Sequence, residues 1–325
     1  MKLIGLLLFF TTSHLSFALF SEGPNPLRPQ VQQYLCTDSL PEINNQPYTF
    51  PYQLSEPEKT VKLSSELVEI SGLSTCAKKH ELCAVQDEKG IIYLLDRKKG
   101  TIEDKFRFWK DGDYEGIEVI GDNAYVVKST GTIYEVEAYR DKDRKVTKYN
   151  SFLNRDNDVE GLCYDAKNHR LLLACKGRPA TGQSLNDIRY KKCVYSFDLT
   201  TKQLDSIPAY ELSLEAIQDY LHTNPMLRKL DKLLTFFTAE RDNLSFNPSA
   251  IAIHPETGNL YLTSSVGKVL LVLNSAGEIL YIEKLDKTIH RQPEGLAFDH
   301  KGRLYISNEG KEGKARIHRF AYLRE

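Results

Sequence analysis

The chain has 325 residues, with 43 Lys and Arg against 44 Asp and Glu, for a formal net charge of −1. Nothing in that balance argues for a nucleic-acid partner. Two Met against 18 Tyr and 14 Phe favour strands, and six Cys are too few for disulfides to replace a core.

The first residues read as an export signal. Lys2 supplies a positive charge, Leu3 to Phe10 form a short apolar run, and Ser16-Phe17-Ala18 places small residues where a signal peptidase cuts. The expectation is a signal peptide over 1–18 and an exported chain, periplasmic or secreted. The competing reading is an uncleaved N-terminal membrane anchor. The run is short of the roughly 20 residues that span a bilayer. No later segment is apolar enough to cross one. The first Cys is Cys36, too far along for a lipoprotein signal. Residues 19–51 read as an N-terminal extension, and 52–325 as the main domain.

That domain repeats a phrase. Ile70-Ser71-Gly72-Leu73 is followed by Tyr114-Glu115-Gly116-Ile117 and Val159-Glu160-Gly161-Leu162. Pro248-Ser249-Ala250-Ile251 and Pro293-Glu294-Gly295-Leu296 complete the series. Steps are about 45 residues, except the third, which is about double. After each phrase come a polar turn and two alternating runs. The first runs are Glu81–Gln86, Ala124–Ser129, Arg170–Cys175, Asn259–Ser264 and Arg303–Asn308. The second are Ile91–Asp96, Thr132–Glu137, Cys193–Leu199, Val269–Asn274 and Ala315–Phe320. Gly-bearing turns such as Ser129-Thr130-Gly131 punctuate them. Repeated antiparallel units of this length predict an all-β, five-bladed β-propeller. The last unit lacks a fourth strand, which the segment Tyr52–Leu63 can supply to latch the ring.

The double step predicts a helical insertion over 209–247, between blades three and four. Helical spacing covers Ser213–Leu221, with Leu214, Ile217 and Leu221 on one face, and then Pro225–Phe237. A degenerate sixth blade is the alternative. No strand triplet stands between Ala209 and Asn247, which favours five.

First strands of a propeller line its axis, so equivalent phrase positions converge. Ser71, Glu115, Glu160, Ser249 and Glu294 form that ring. Three carboxylates so close repel one another unless one holds a proton or a cation intervenes. Hydroxyl and carboxylate oxygens suit calcium, and the lack of thiolate or imidazole argues against zinc. A water-filled acidic channel without a specific metal is the alternative. At the second-strand ends, Lys128, Lys176, Asn308 and Glu309 are candidate ligand contacts. His290 sits just ahead of the last phrase and His254 in the turn after Ile253, but no histidine repeats or has a metal-binding spacing, so neither is expected to be a catalytic base. Cys175–Cys193 and Cys76–Cys83 are candidate disulfides by their adjacency in the strand pattern, leaving Cys36 and Cys163.

The phrases, in this order, resemble the YjiK family, also called the SdiA-regulated family, of bacterial exported propellers. The carrying stretches are Glu69 to Leu73, Asn247 to Pro255, Arg291 to Gly295 and Leu304 to Gly310. The resemblance implies a five-bladed propeller with a calcium site, distantly NHL-like, and carries the Ser and Glu pattern onto the same five residues. The function expected is an exported calcium-binding propeller, monomeric, that binds a small molecule or an envelope protein. The alternative is a calcium-dependent hydrolase of lactones or phosphate esters at the channel mouth.

Overall fold

Five antiparallel sheets surround one axis in the computed structural model, and each begins with the repeated phrase. The structure describes residues 48–324 apart from 77, 181–189, 225–236, 238–244 and 311–312. The expected signal peptide, Cys36 and all but Phe237 of the second insertion helix lie outside the described residues. None of the described helices is long and apolar enough to cross a membrane.

The inner strands are Ile70–Thr75, Tyr114–Ile120, Val159–Asp165, Pro248–Ile253 and Pro293–Phe298. Each packs on the next, and the fifth returns to the first. Second and third strands are buried through their middles, and Glu81–Gln86 and Val269–Leu273 are buried along their whole length. Their two faces are covered by neighbouring blades, which is why they read as nearly continuous apolar runs. Outer strands face solvent, and Ile102–Arg107 reads Ile-Glu-Asp-Lys-Phe-Arg accordingly.

The ring closes as the sequence predicts. Lys59–Lys62 pairs antiparallel with Arg316–Phe320 as the outer strand of blade five, with Thr60 opposite His318. The segment before it is strapped down by rings. Phe50 stacks on Tyr281 at 4.2 Å, and Tyr52 is buried against Tyr261, Phe298 and Tyr322. The Tyr52 hydroxyl donates to the Gly302 carbonyl at 2.5 Å. His290 and His318 pin the same segment: His290 Nε2 meets the Leu54 carbonyl at 3.1 Å, and His318 Nδ1 meets Thr60 Oγ1 at 2.8 Å. His290 is therefore a buried structural anchor and not an exposed base.

Blade three departs from the expected insertion boundary. Gln203–Leu204 and Tyr210–Ser213 both pair with Lys191–Asp198, so its outer strand is one strand interrupted by 205–209. Residues 210–213 thus belong to the blade. Their four-residue pairing is too short to leave a periodic signal before the helix takes over. The helix spans Leu214–Thr223; Ser213 caps it by accepting from the Ala216 amide, and Leu214, Ile217 and Leu221 are buried. Tyr220 ties it to blade four through the Leu280 carbonyl at 2.8 Å.

Cys76 and Cys83 form a disulfide across the first hairpin of blade one. The expected Cys175–Cys193 bond is not formed: both are buried free thiols, as is Cys163. The ladder between their strands ends at Ala174 and Val194. The two cysteines lie just beyond it, and each is held by a different partner: Cys175 pairs with Val159 and Cys193 with Glu211.

The third phrase position decides how closely blades meet. A Cβ on Gly72 would stand 2.8 Å from the Ile117 amide nitrogen of blade two, and one on Gly295 would stand 3.2 Å from the Leu73 nitrogen of blade one. Both obstacles are backbone and cannot swing away. Gly72→Ala is expected to lower unfolding free energy by about 1–3 kcal/mol, read from urea unfolding.

His254 supplies a pH-dependent term. Its Nδ1 accepts from the amides of Glu256 and Thr257 at 3.2 Å each, and burial pushes its pKa down to about 4. The unfolded chain takes up this proton near pH 6.5, so the stability it confers is present above that pH and lost as pH falls toward about 4. Asn can accept the same two amides without titrating. The urea midpoint of His254→Asn is expected to fall less between about pH 7 and about pH 4 than that of the wild type.

Candidate functional site

Every inner strand carries a bulge at the same place. Ile70 pairs with Gln86 and Gly72 with Val85, which leaves Ser71 unpaired between them. The same shift brackets Glu115, Glu160, Ser249 and Glu294. A bulge re-aims the residue it leaves over. All five expected ring residues are therefore the bulged ones.

The structure then separates them. Glu115, Glu160 and Glu294, from blades two, three and five, line one axial cavity of about 10 Å³, room for roughly one water. The serines tie blades together. Ser71 Oγ donates to the Tyr114 carbonyl at 2.6 Å, and Ser249 Oγ donates to the Pro293 carbonyl at 2.6 Å. Each links its own inner strand to the next one around the ring.

The carboxylates are electrostatically crowded. Burial raises the pKa of Glu115, and repulsion from Glu160 and Asp113 raises it further. Burial also raises Glu160, against the pull of Lys176. Glu294 is pushed up to about 8 by burial and by Glu160. Lys176 is the internal counter-ion, 2.6 Å from Glu160 Oε1 and 3.5 Å from Asp158 Oδ2. Of the two lysines expected at the mouth, it alone meets the ring carboxylates; Lys128 lies over the Tyr114 ring at 5.7 Å.

The mouth is more acidic than the phrase alone suggests. Asp87 is raised to about 6 by burial and by Glu69, and its Oδ1 is buried without a hydrogen-bond partner among the described residues. Asp113 and Asp158 stand two residues before Glu115 and Glu160; Glu69, Asn247 and Gln292 hold the matching places in the other phrases. That second set of polar residues was legible as a repeat at a fixed place before each phrase. Deeper along blade two, Glu118 is partly buried, and burial raises it to about 7. It accepts from Ser74 Oγ at 2.8 Å and from the Tyr164 amide at 3.3 Å, so it bridges blades one and three. Asn308 and Glu309, the other expected ligand contacts, line a separate pocket against blade five.

The donor set suits a hard divalent cation such as calcium. It consists of oxygen atoms, carries three crowded carboxyls, and lies beside an unpartnered Asp87 oxygen. The three carboxylates do not converge within 4.8 Å of one another. Holding an ion would draw their side chains inward and compete with Lys176 for Glu160. Among the described residues, the trio of acidic or histidine groups that does converge is His80, Glu81 and Glu103, where Glu81 is already paired with Arg140.

In the protein kept free of divalent cations, the raised carboxyls hold protons that the unfolded chain releases near pH 4.5. Stability from them is present below that pH and lost as pH rises through about 8. In chelator, Glu115→Gln is expected to flatten this alkaline loss and to be more stable than the wild type at about pH 8 by urea unfolding.

Comparison with known proteins gives a consistent fold. The profile of the family described as SdiA-regulated matches residues 49–225 and 228–311. No curated protein matches the chain. Among solved structures, glutaminyl cyclase of Myxococcus xanthus is 12% identical with a TM-score of 0.50, covering 82% of this chain and 95% of that one. A luciferin-regenerating enzyme is 14% identical at a TM-score of 0.43, covering 78% and 77%. The WD40 repeats of RRP9 are 10% identical at 0.41, covering 78% and 67%. At these identities the likeness concerns the fold alone.

Proposed function

The chain belongs to the SdiA-regulated family, and from that premise we propose that it is an exported, calcium-binding propeller that holds a ligand or partner in the bacterial envelope. One observation carries the reading. Three partly buried carboxylates from three different blades open on one axial cavity, beside a mouth that adds further acids. Glu115, Glu160 and Glu294 would hold the ion, with hydroxyl oxygens of Ser71 and Ser249 behind them. A bound calcium would offset repulsion that the fold otherwise relieves by protonation and by Lys176. Ser71 and Ser249 would keep neighbouring inner strands in register while it did so.

Export is supported by the signal-like first 18 residues and by the Cys76–Cys83 disulfide, a bond that persists in oxidising compartments. Binding is favoured over hydrolysis. Among the described residues no histidine lines the axial cavity, and His290 is committed to the strap.

Calcium is expected to raise the melting temperature in a saturable way, more at about pH 8 than at about pH 5, since protons compete for the same carboxylates. Glu160→Gln should weaken calcium binding by about tenfold or more, and Lys176→Gln should tighten it, both by titration calorimetry. Absence of any calcium-dependent shift at the higher pH would refute the reading.

A further inference from the structure

We propose that a pocket of about 360 Å³ against blade five is a binding site for a small organic phosphate. It goes beyond the axial cation and does not depend on it. Two chain segments build it. Lys287 and Arg291 come from the connection between Ile279–Lys284 and Pro293–Phe298, while Lys314 lies just before the strand Arg316–Phe320 and Arg316 opens it. Four cations therefore face one space from both sides. None of the four makes an ion pair among the described residues, whereas Arg97, Arg140, Arg170 and Arg303 all do.

Among the described residues of the wall the carboxylate is Glu309, already held by the Gln292 side-chain amide, which leaves the four cations in excess of it. Gln292 also bonds Glu294, so it forms the partition between this pocket and the axial site. Asn308 is the second, independent sign of a ligand. It is 3% exposed, its Oδ1 accepts from the Gln292 amide at 3.2 Å, and its Nδ2 has no acceptor among the described residues. Buried amide donors without partners are costly, and an oxygen brought by a ligand would complete this one.

The cation types select the ligand class. Two guanidinium forks and two ammonium groups match a dianionic phosphate better than a single carboxylate. Ile289 adds an apolar wall for an organic portion. The volume admits a small metabolite, since ligand pockets start at about 300 Å³.

Calorimetric titration of the full mature chain with glycerol 3-phosphate and with inorganic pyrophosphate tests this, in chelator and in calcium. Saturable binding with Kd of about 1 mM or tighter is expected in both buffers, weakening with salt, and none with glycerol. The double variant Arg291→Gln/Arg316→Gln should bind about tenfold more weakly or worse. Should that variant fail to fold, Lys287→Gln/Lys314→Gln, both at exposed positions, should still weaken binding by about threefold or more. No saturable binding, or undiminished affinity in the folded variant, overturns the assignment. Binding in calcium alone overturns it too, because the anion would then sit on the axial cation.

Discussion

The close approach of five inner strands at the axis is the constraint on which the other features rest. It requires a missing side chain at the third phrase position, and Gly72, Gly116, Gly161 and Gly295 supply it. Ala250 is the single Cβ the ring admits there. Because the backbones come so near, the bulged residue at each phrase meets either the axial cavity, as the three glutamates do, or the next inner strand, as the two serines do. The same contact that packs the blades therefore gathers polar groups. A wider ring would have left three carboxylates in separate solvent pockets and two serines with no neighbouring carbonyl to reach.

Gathering them sets an electrostatic problem that the fold answers in pieces. The serine blades carry no charge and add hydrogen bonds between inner strands. Blade three answers Glu160 with Lys176. Blade five answers Glu294 with the Gln292 amide, and that same amide restrains Glu309 in the neighbouring pocket. Glu115 receives no such help, and its neighbour Asp113 adds repulsion although Ser129 bonds that carboxylate. The asymmetry matters, since a cation placed at this axis would relieve most repulsion near Glu115.

Much of the fold was legible because the repeat made each strand call attention to its equivalents. Arg170–Cys175 and Ile91–Asp96 fall where the alternating pattern puts them, and the latch strand falls inside Tyr52–Leu63. The disulfide of blade one was legible for the same reason, as its cysteines flank one short hairpin. The pair Cys175 and Cys193 shows where adjacency fails: being opposite in order says nothing about where the ladder stops. The strand at 210–213 was hidden because it is short and runs straight into a helix. At the site, the ring of bulged residues was readable from phrase position, but its division into carboxylates and serine ties was not. That division depends on a carbonyl one blade away. The cations of the blade-five pocket carry no pattern at all, since they come from two segments that only the strand pairing within blade five brings together.

The latch has a consequence for how the molecule comes into being. Lys59–Lys62 and Arg316–Phe320 share one sheet across almost the whole described chain. Four blades can assemble as they are made, but the fifth cannot be completed until its last strand arrives. Until then the growing polypeptide carries an unpaired edge at each end of an open arc, and such edges accept any strand that fits. A pairing this distant in sequence is slow to form. Chain completion, and not blade formation, is thus the point at which the propeller becomes safe from its own copies.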